Sequence, residues 1–360
     1  MAETSATILI PDISGFTAFV STTELSHSTR AINMLIDAIV DAVGDAFEVS
    51  EIEGDAVLLI RKDPPPSKKE IQEICLKIFN AFHFRRKWMQ QYTICPCGAC
   101  QAISDLTLKF VVHHGPLAEI KVGRFVKHSG TEMIVAHRLL KNNIDNNEYL
   151  LLTERLLQQV GDTGEAVEMD WASSAEEYAS IGKIAYRFTL LNEARKQVPE
   201  PPEPPSFYRT DNTAYLEIPI AANYLDVYMT VMNIPGRSGW LADLEKVEQE
   251  IPHVFVGSIH QCTFRDYDAI VSPLRMTVSA DGITYAESCR IEELDISLVH
   301  EFKFKNINDK ASTFASRCMN AGDAPVPADI KALLFERMQQ MAENLKAYCE
   351  GSLAAQDRPA

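Results

Sequence analysis

No stretch of the chain approaches the roughly 18–20 consecutive apolar residues needed to cross a bilayer. The first 25 residues also lack a basic segment followed by an apolar core. A membrane-spanning or exported protein is therefore not expected, and the chain reads as cytoplasmic. Cysteine is scarce, with eight in 360 residues, too few for a disulfide scaffold. Positive charge is also short: 34 Lys and Arg face 50 Asp and Glu, a formal net charge of −16. Long-range attraction to phosphate backbones is missing, so nucleic acid is not expected as a main partner. No internal repeat is visible. What is present is a 46% apolar, 23% charged, 8% aromatic composition with 16 Phe and 11 Tyr, able to bury hydrophobic cores. It excludes global disorder, collagen and coiled coil, and the length suggests two domains.

Proline marks the boundary between them. Val198-Pro-Glu-Pro-Pro-Glu-Pro-Pro205 fixes φ and removes backbone donors, giving a stiff extended spacer. The expected division is a first domain over 1–195, a linker over 196–206, a second domain over 207–352 and a tail over 353–360. Within the first domain, Thr7 to Ile10 reads as a buried strand and Ile32, Leu35, Ile36, Ile39, Val43 and Phe47 follow a helical period. Glu51 to Ile60 reads as a hairpin around Gly54-Asp55. Ile71, Ile74, Cys75, Ile78 and Phe82 mark a second helix, entered through Ser67 and Glu70, a capping box in which each satisfies an orphan amide. Leu106 to Val112 alternates as a strand, and Ser129-Gly-Thr-Glu132 repeats the capping-box grammar before a further helix. Arg85-Arg-Lys87 with Trp88 is read as a helix end complementing the dipole, not as a nucleic-acid patch. The second domain opens on a strand over 213–218, continues through a helix over 224–232 and short strands between about 250 and 318, and closes on a long helix carrying Ile330, Leu334, Met338, Met341, Leu345 and Tyr348. The class is α+β. A curved sheet gripping one long helix tends to leave an apolar cavity.

Pro11-Asp12-Ile-Ser-Gly-Phe-Thr17 sets a carboxylate at a strand end, before a turn whose amides, from Ser14 through Gly15 and Phe16 to Thr17, lead toward a helix N-terminus. Hard oxygens beside exposed amides suit a metal next to a phosphate. Asp55 can join Asp12 if the hairpin lies beside the first strand, and two such carboxylates would hold Mg²⁺ or Mn²⁺. Taken singly, a strand-end aspartate also caps a helix and a Gly-Asp also makes a turn.

The order of these pieces resembles the class III adenylyl and guanylyl cyclase catalytic domain over roughly residues 5–192. The signatures are Asp12-Ile-Ser-Gly-Phe-Thr17, Glu51-Ile-Glu-Gly-Asp55, His113-His-Gly115, and Gly130-Thr through Ala136-His-Arg138. The resemblance implies a ferredoxin-like βαββαβ core and an active site between two antiparallel protomers, hence a homodimer. It implies Mg²⁺ or Mn²⁺ held by Asp12, Asp55 and the carbonyl of Ile13, with a purine nucleoside triphosphate cradled by Ser14 to Thr17. Glu51 falls where a guanylyl cyclase reads its base, Lys127 at the companion position, Arg138 at the arginine that steadies the phosphates, and Lys183 in a segment like the late phosphate-binding lysine. Two positions depart from the pattern. Lys127 matches neither base-selecting class, and Ile134 stands where a hydrogen-bonding asparagine is expected, a loss typically costing about 10²–10³ in rate.

Cys95, Cys97 and Cys100 are spaced closely enough to wrap Zn²⁺ if a fourth ligand is at hand, with Cys75, His83, His113 and His114 as candidates. Incidental thiols explain the spacing equally well, and the two histidines read better as core or turn residues. Residues 207–350 resemble the START-like helix-grip superfamily through their element order, Trp240, Tyr285-Ala-Glu287 and the final helix. That resemblance implies an apolar small-molecule ligand. His260, Arg265, Glu287 and Arg290 are either pocket-lining or outward-facing strand residues, the outward reading being preferred. The expected function is a divergent cyclase whose output responds to that ligand. The alternatives are a catalytically degenerate nucleotide or ligand sensor, and a small apolar-molecule carrier.

Overall fold

The computed structural model describes residues 3–23, 25–96, 102–123, 125–161, 164, 166–203, 214–241, 243–249, 254–322 and 326–356. The α+β class expected from the sequence holds. The chain divides into two compact units, one of Met1–Gln91 and Cys97–Pro201, the other of Tyr92–Pro96 and Pro202–Ala360. The five-residue segment Tyr92–Pro96 was expected in the first unit and belongs to the second. There the amide of Val256 donates to the Tyr92 carbonyl at 3.3 Å and the Tyr228 hydroxyl donates to the Ile94 carbonyl. These partners lie more than 130 residues away, so no local pattern announces them.

The first unit is built on an eight-stranded sheet. Strand β1 (Glu3–Ser14) runs antiparallel between β3 (Ala56–Lys62) and β4 (Thr107–Val122), with β2 (Glu48–Glu53) at the edge beyond β3. β5 (Phe125–Ser129) folds back on the far half of β4, and β6 (Tyr149–Thr153) pairs parallel with its near half. Strands β8 (Gly182–Leu190) and β7 (Ala172–Tyr178) complete the sheet. Helices cover both faces. α2 (Leu25–Val43) and α3 (Lys68–Tyr92) enclose one core with Leu9, Ile13, Val57, Leu59, Phe110 and Val112. α4 (Thr131–Leu139) covers the other face, over Ile8, Ile10, Leu58 and Ile60. The period of two along each strand separates these sets, and it puts Asp12 on the α4 face with Ile8 and Ile10.

The capping box at α3 forms: the Ser67 amide donates to Glu70 Oε2 at 2.8 Å and the Glu70 amide to Ser67 Oγ at 3.2 Å. The same grammar at α4 does not. Gly130 is the N-cap without a side-chain bond, and Glu132 turns inward, accepting from Arg155 Nη1 at 2.6 Å and lying 2.6 Å from His113 Nε2. Burial in a charged network outcompetes a local cap worth about 1 kcal/mol. Arg85-Arg-Lys87 sits inside α3 instead of at its end, and Arg86 is buried, donating to the carbonyls of Ser104 and Leu106.

The second unit has a seven-stranded antiparallel sheet in the order β10 (Leu244–Gln249), β11 (His260–Phe264), β12 (Asp268–Ser279), β13 (Gly282–Ile291), β14 (Ile296–Asn308), β15 (Ala311–Asn320) and β9 (Leu216–Ile220). Three short helices in the first unit, α1 (Phe16–Thr22), α5 (Glu154–Val160) and α6 (Asn192–Lys196), precede the two of the second, α7 (Tyr224–Met232) and the long α8 (Ala328–Gln356). α8 packs on β9, β15 and α7. Among the described residues no helix is long and apolar enough to cross a membrane.

Candidate functional site

Asp12 stands near the end of β1 with Ala56 opposite on β3 and Lys109 opposite on β4. That register brings the β2–β3 turn, and with it Asp55, beside Asp12. The Ile13 amide donates to the Asp55 carbonyl at 3.0 Å and fixes the approach. Burial, and then the nearby charge of Asp12, raise the Asp55 carboxyl above its ordinary value. Lys109 Nζ lies 3.1 Å from Asp12 Oδ2 and partly offsets that repulsion. The turn needs Gly54, whose φ of +66° is left-handed, and Phe16 lies 3.9 Å from where its Cβ would stand. The sheet thus assembles the two carboxylates picked out in the sequence. Among the described residues, however, no group of three or more His, Cys, Asp or Glu side chains is arranged to hold a metal ion.

Ser14 stays in β1, buried, its Oγ without a hydrogen-bond partner among the described residues. Gly15, with φ of +90°, turns the chain into α1, which starts at Phe16 and includes Thr17. The first-turn amides of α1 have no intrahelical acceptors, as at any helix start.

On the other side of the hairpin a second group converges. Val49 faces Leu59 and Glu51 faces Leu58, so Ser50 is the extra residue of a β-bulge that re-aims the edge strand. Ser50 Oγ meets His128 Nδ1 at 3.0 Å, and Glu51 Oε2 accepts from Lys127 Nζ at 3.0 Å. The hydrogen bond to Glu51, and then that carboxylate's charge, hold the Lys127 ammonium above its usual value. Glu51, Lys127 and His128 wall an open cleft of about 480 Å³, which α4 and the segment after it close with Ile134, His137, Arg138 and Lys141. Ile134 is 54% exposed there and presents only hydrocarbon. Glu51, Lys127 and Arg138, 87 residues apart at the extremes, are therefore neighbours, as are the unforeseen Glu53, His137 and Lys141. Asp12 and Asp55 are not among the lining residues. Lys183 is exposed on β8 opposite Glu177 and does not line the cleft either.

His113 and His114 are core residues. His113 bridges Glu132 and Thr153, and His114 Nδ1 meets Thr7 Oγ1 at 3.1 Å. Of the candidate zinc thiols, Cys95 is buried, while Cys97 and Cys100 lie outside the described residues. The proposed fourth ligands are engaged elsewhere: Cys75 is buried in the core and His83 lies 3.1 Å from Glu148.

In the second unit a cavity of about 320 Å³ lies between the sheet and α8. Trp240, Phe264, Phe302, Met338 and Met341 supply apolar walls, and Arg237 and Glu287 meet there through two bonds of 2.7 and 2.6 Å. Tyr285 Oη donates to Glu287 at 2.9 Å. The outward reading of the four strand residues fails for two of them. His260 is wholly buried and Glu287 lines the cavity, because both fall on the inward phase of their strands. Arg265 is exposed and Arg290 pairs outward with Asp295.

The profile of a family described as a protein of unknown function, DUF2652, matches residues 32–149. The uncharacterized protein Rv2561/Rv2562 of Mycobacterium tuberculosis is 30% identical over 133 residues, 34% of this chain; the match spans 58% of that relative's length. Over the N-terminal half the similar solved structures are adenylyl and guanylyl cyclase catalytic domains. The guanylyl cyclase Cya2 is 14% identical, covering 52% of this chain and 92% of its own, with a TM-score of 0.39. A bacterial light-regulated adenylyl cyclase is 16% identical, covering 54% and 94%, with a TM-score of 0.38. The guanylate cyclase domain of RhGC from Catenaria anguillulae, solved with GTP, is 14% identical over 52% and 98%, with a TM-score of 0.39.

Proposed function

We propose that the first unit is a divergent, divalent-metal-dependent nucleotide cyclase of ferredoxin-like core, completed by a second copy of the chain. The observation that carries this reading is the pairing of Asp12 and Asp55 across β1 and the β2–β3 turn, with the Asp55 carboxyl raised by burial and by Asp12's charge. Two like charges held together invite a cation. The donor set would suit Mg²⁺ or Mn²⁺: hard carboxylate oxygens, with the Ile13 carbonyl as the further oxygen the resemblance implies. When bound, such an ion would polarise the phosphates and make the ribose 3′-hydroxyl a better nucleophile.

In this reading the ribose 3′-oxygen bonds to the α-phosphorus, the bond from that phosphorus to the bridging oxygen breaks, pyrophosphate leaves and the hydroxyl proton passes to water. Glu51 accepts from the purine edge while Lys127 holds its carboxylate in place. Arg138 neutralises charge that grows on the phosphates. Because the aspartates do not line the cleft that holds Glu51 and Arg138, each chain supplies two half-sites, and a partner protomer would join them.

Conversion of ATP and of GTP to cyclic nucleotide, with Mn²⁺, tests this directly. Wild type should form product from one of the two, and Asp55→Ala should lose it by at least about 10²-fold. Product formed equally by Asp55→Ala would reject the reading.

A second reading is favoured by Ile134, which offers no donor where transition-state charge would develop. The unit would then bind nucleotide as a sensor without turning it over. Nucleotide binding without product would select it. The second unit is read as a START-like helix-grip domain, its aromatic and methionine-lined cavity taking an apolar molecule. Such a molecule co-purifying with the chain would support that role.

A further inference from the structure

The cleft between β2, β5 and α4 holds five basic side chains, and Lys127, His137, Arg138 and Lys141 among them are not in equivalent states. Lys127 is bonded to Glu51 at 3.0 Å, and His137 lies 3.7 Å from Glu53. Arg138 and Lys141 form no ion pair among the described residues, although the chain carries 50 acidic residues against 34 basic ones. Two cations three residues apart, with no carboxylate partner among the described residues, leave local positive charge on the wall of a cleft that the acceptor Glu51 also lines.

The segment that presents them is held firmly. The Lys141 amide donates to the Arg138 carbonyl at 3.0 Å, the Tyr178 hydroxyl donates to the same carbonyl at 3.0 Å, and Lys109 Nζ donates to the Leu140 carbonyl at 3.1 Å. Backbone positions fixed this way lower the ordering cost of binding. Lys183 has no comparable placement: it is exposed on β8, outside the cleft.

We propose that Lys141 joins Arg138 in gripping the phosphate chain of a nucleoside di- or triphosphate, and that Lys183 takes no part. This rests on the reading of the cleft as a nucleotide site. A guanidinium supplies a planar fork and an ammonium a point charge, which suits two neighbouring phosphate groups better than a single one. The competing explanation is that both charges merely complement the C-terminus of α4.

The two explanations separate by phosphate number. Calorimetric titration of the full chain in Mg²⁺ would use the triphosphate, diphosphate, monophosphate and nucleoside of adenine and of guanine, against wild type, Arg138→Met, Lys141→Met, Lys141→Arg and Lys183→Met. Lys141→Met should weaken triphosphate binding about 10- to 100-fold, leave the nucleoside within about twofold, and be rescued by Lys141→Arg. Lys183→Met should match wild type. Triphosphate binding unchanged in Lys141→Met, while Arg138→Met loses it, would overturn the role of Lys141 and leave the nucleotide site standing. Equal weakening of nucleoside and triphosphate would also overturn it, in favour of a structural charge. Wild type that binds none of these ligands would remove the nucleotide reading itself.

Discussion

In the second unit Arg237 and Glu287 are each less than a tenth exposed and neutralise one another through two short bonds, with Tyr285 as a third partner. In the first unit Asp55 stands beside another carboxylate, and Lys109 pairs with that neighbour, Asp12, at 3.1 Å. The contrast separates two uses of charge. A buried pair whose charges neutralise one another through two direct bonds is finished chemistry: it shapes a cavity wall and asks for no further ion. Like charges held together where β1 meets the β2–β3 turn, and cations along a cleft with no ion-pair partner among the described residues, gain their full value only when something else binds. Function in the first unit is therefore sought in what its charges lack, and in the second in the apolar space its charges frame.

The sharpest way to break this comparison is to unsatisfy the satisfied pair. Glu287→Leu leaves the Arg237 guanidinium buried without its counter-ion, a loss of about 3–5 kcal/mol from the unfolding of the second unit. Joint replacement as Arg237→Met with Glu287→Leu should recover most of it. Guanidinium titration followed by circular dichroism reads both. A single variant as stable as wild type would mean the pair is not the settled anchor argued above. In the first unit the matching experiment supplies what is absent. Ile134→Asn puts a hydrogen-bond donor into the cleft, and cyclic-nucleotide formation should rise by up to about 10²–10³. An unchanged rate would show that a missing donor at this position does not limit turnover.

Legibility followed the range of the interaction. The helical periods, the 51–60 hairpin and the Ser67–Glu70 box depend on neighbours in sequence and could be read directly. Ser129–Glu132 has the same spelling as that box yet caps nothing, because His113 and Arg155 claim Glu132 from 19 and 23 residues away. The Glu51–Lys127 pair spans 76 residues and Arg237–Glu287 spans 50, so neither could be derived from spacing. Asp12 and Asp55 could be read as a pair on the condition that the hairpin lies beside the first strand, a placement that spacing alone does not give, and Lys141 belonged to no motif at all.

The Glu132 network gives a third, smaller test. Gly115 has no side chain because a Cβ there would lie 2.7 Å from Glu132 Cγ. Gly115→Ala should cost about 1–3 kcal/mol by overpacking. The hydrogen bond from His113 holds the Glu132 carboxyl below its ordinary value of 4.5. A depressed carboxyl contributes stability that is full above the ordinary value and is lost as pH falls through the folded one. Thermal melts should therefore fall more steeply below about pH 4.5 in wild type than in Glu132→Gln. Parallel acid limbs would contradict that assignment.

The smallest effect belongs to the local contact that sequence predicted best. Ser67 Oγ caps the first turn of α3 and Glu70 returns the bond to the Ser67 amide. Both are exposed, so water can replace most of what is removed, and Ser67→Ala should destabilise the first unit by only about 1 kcal/mol. The same substitution should leave the second unit's transition untouched, because the capped turn and the core it feeds, Ile71, Ile74 and Ile78, all lie in the first. A denaturant titration that resolves the two transitions would show one midpoint moving and the other still. If both moved together, the two units would unfold as one, and the contrast between them would concern local chemistry alone and not separate folding.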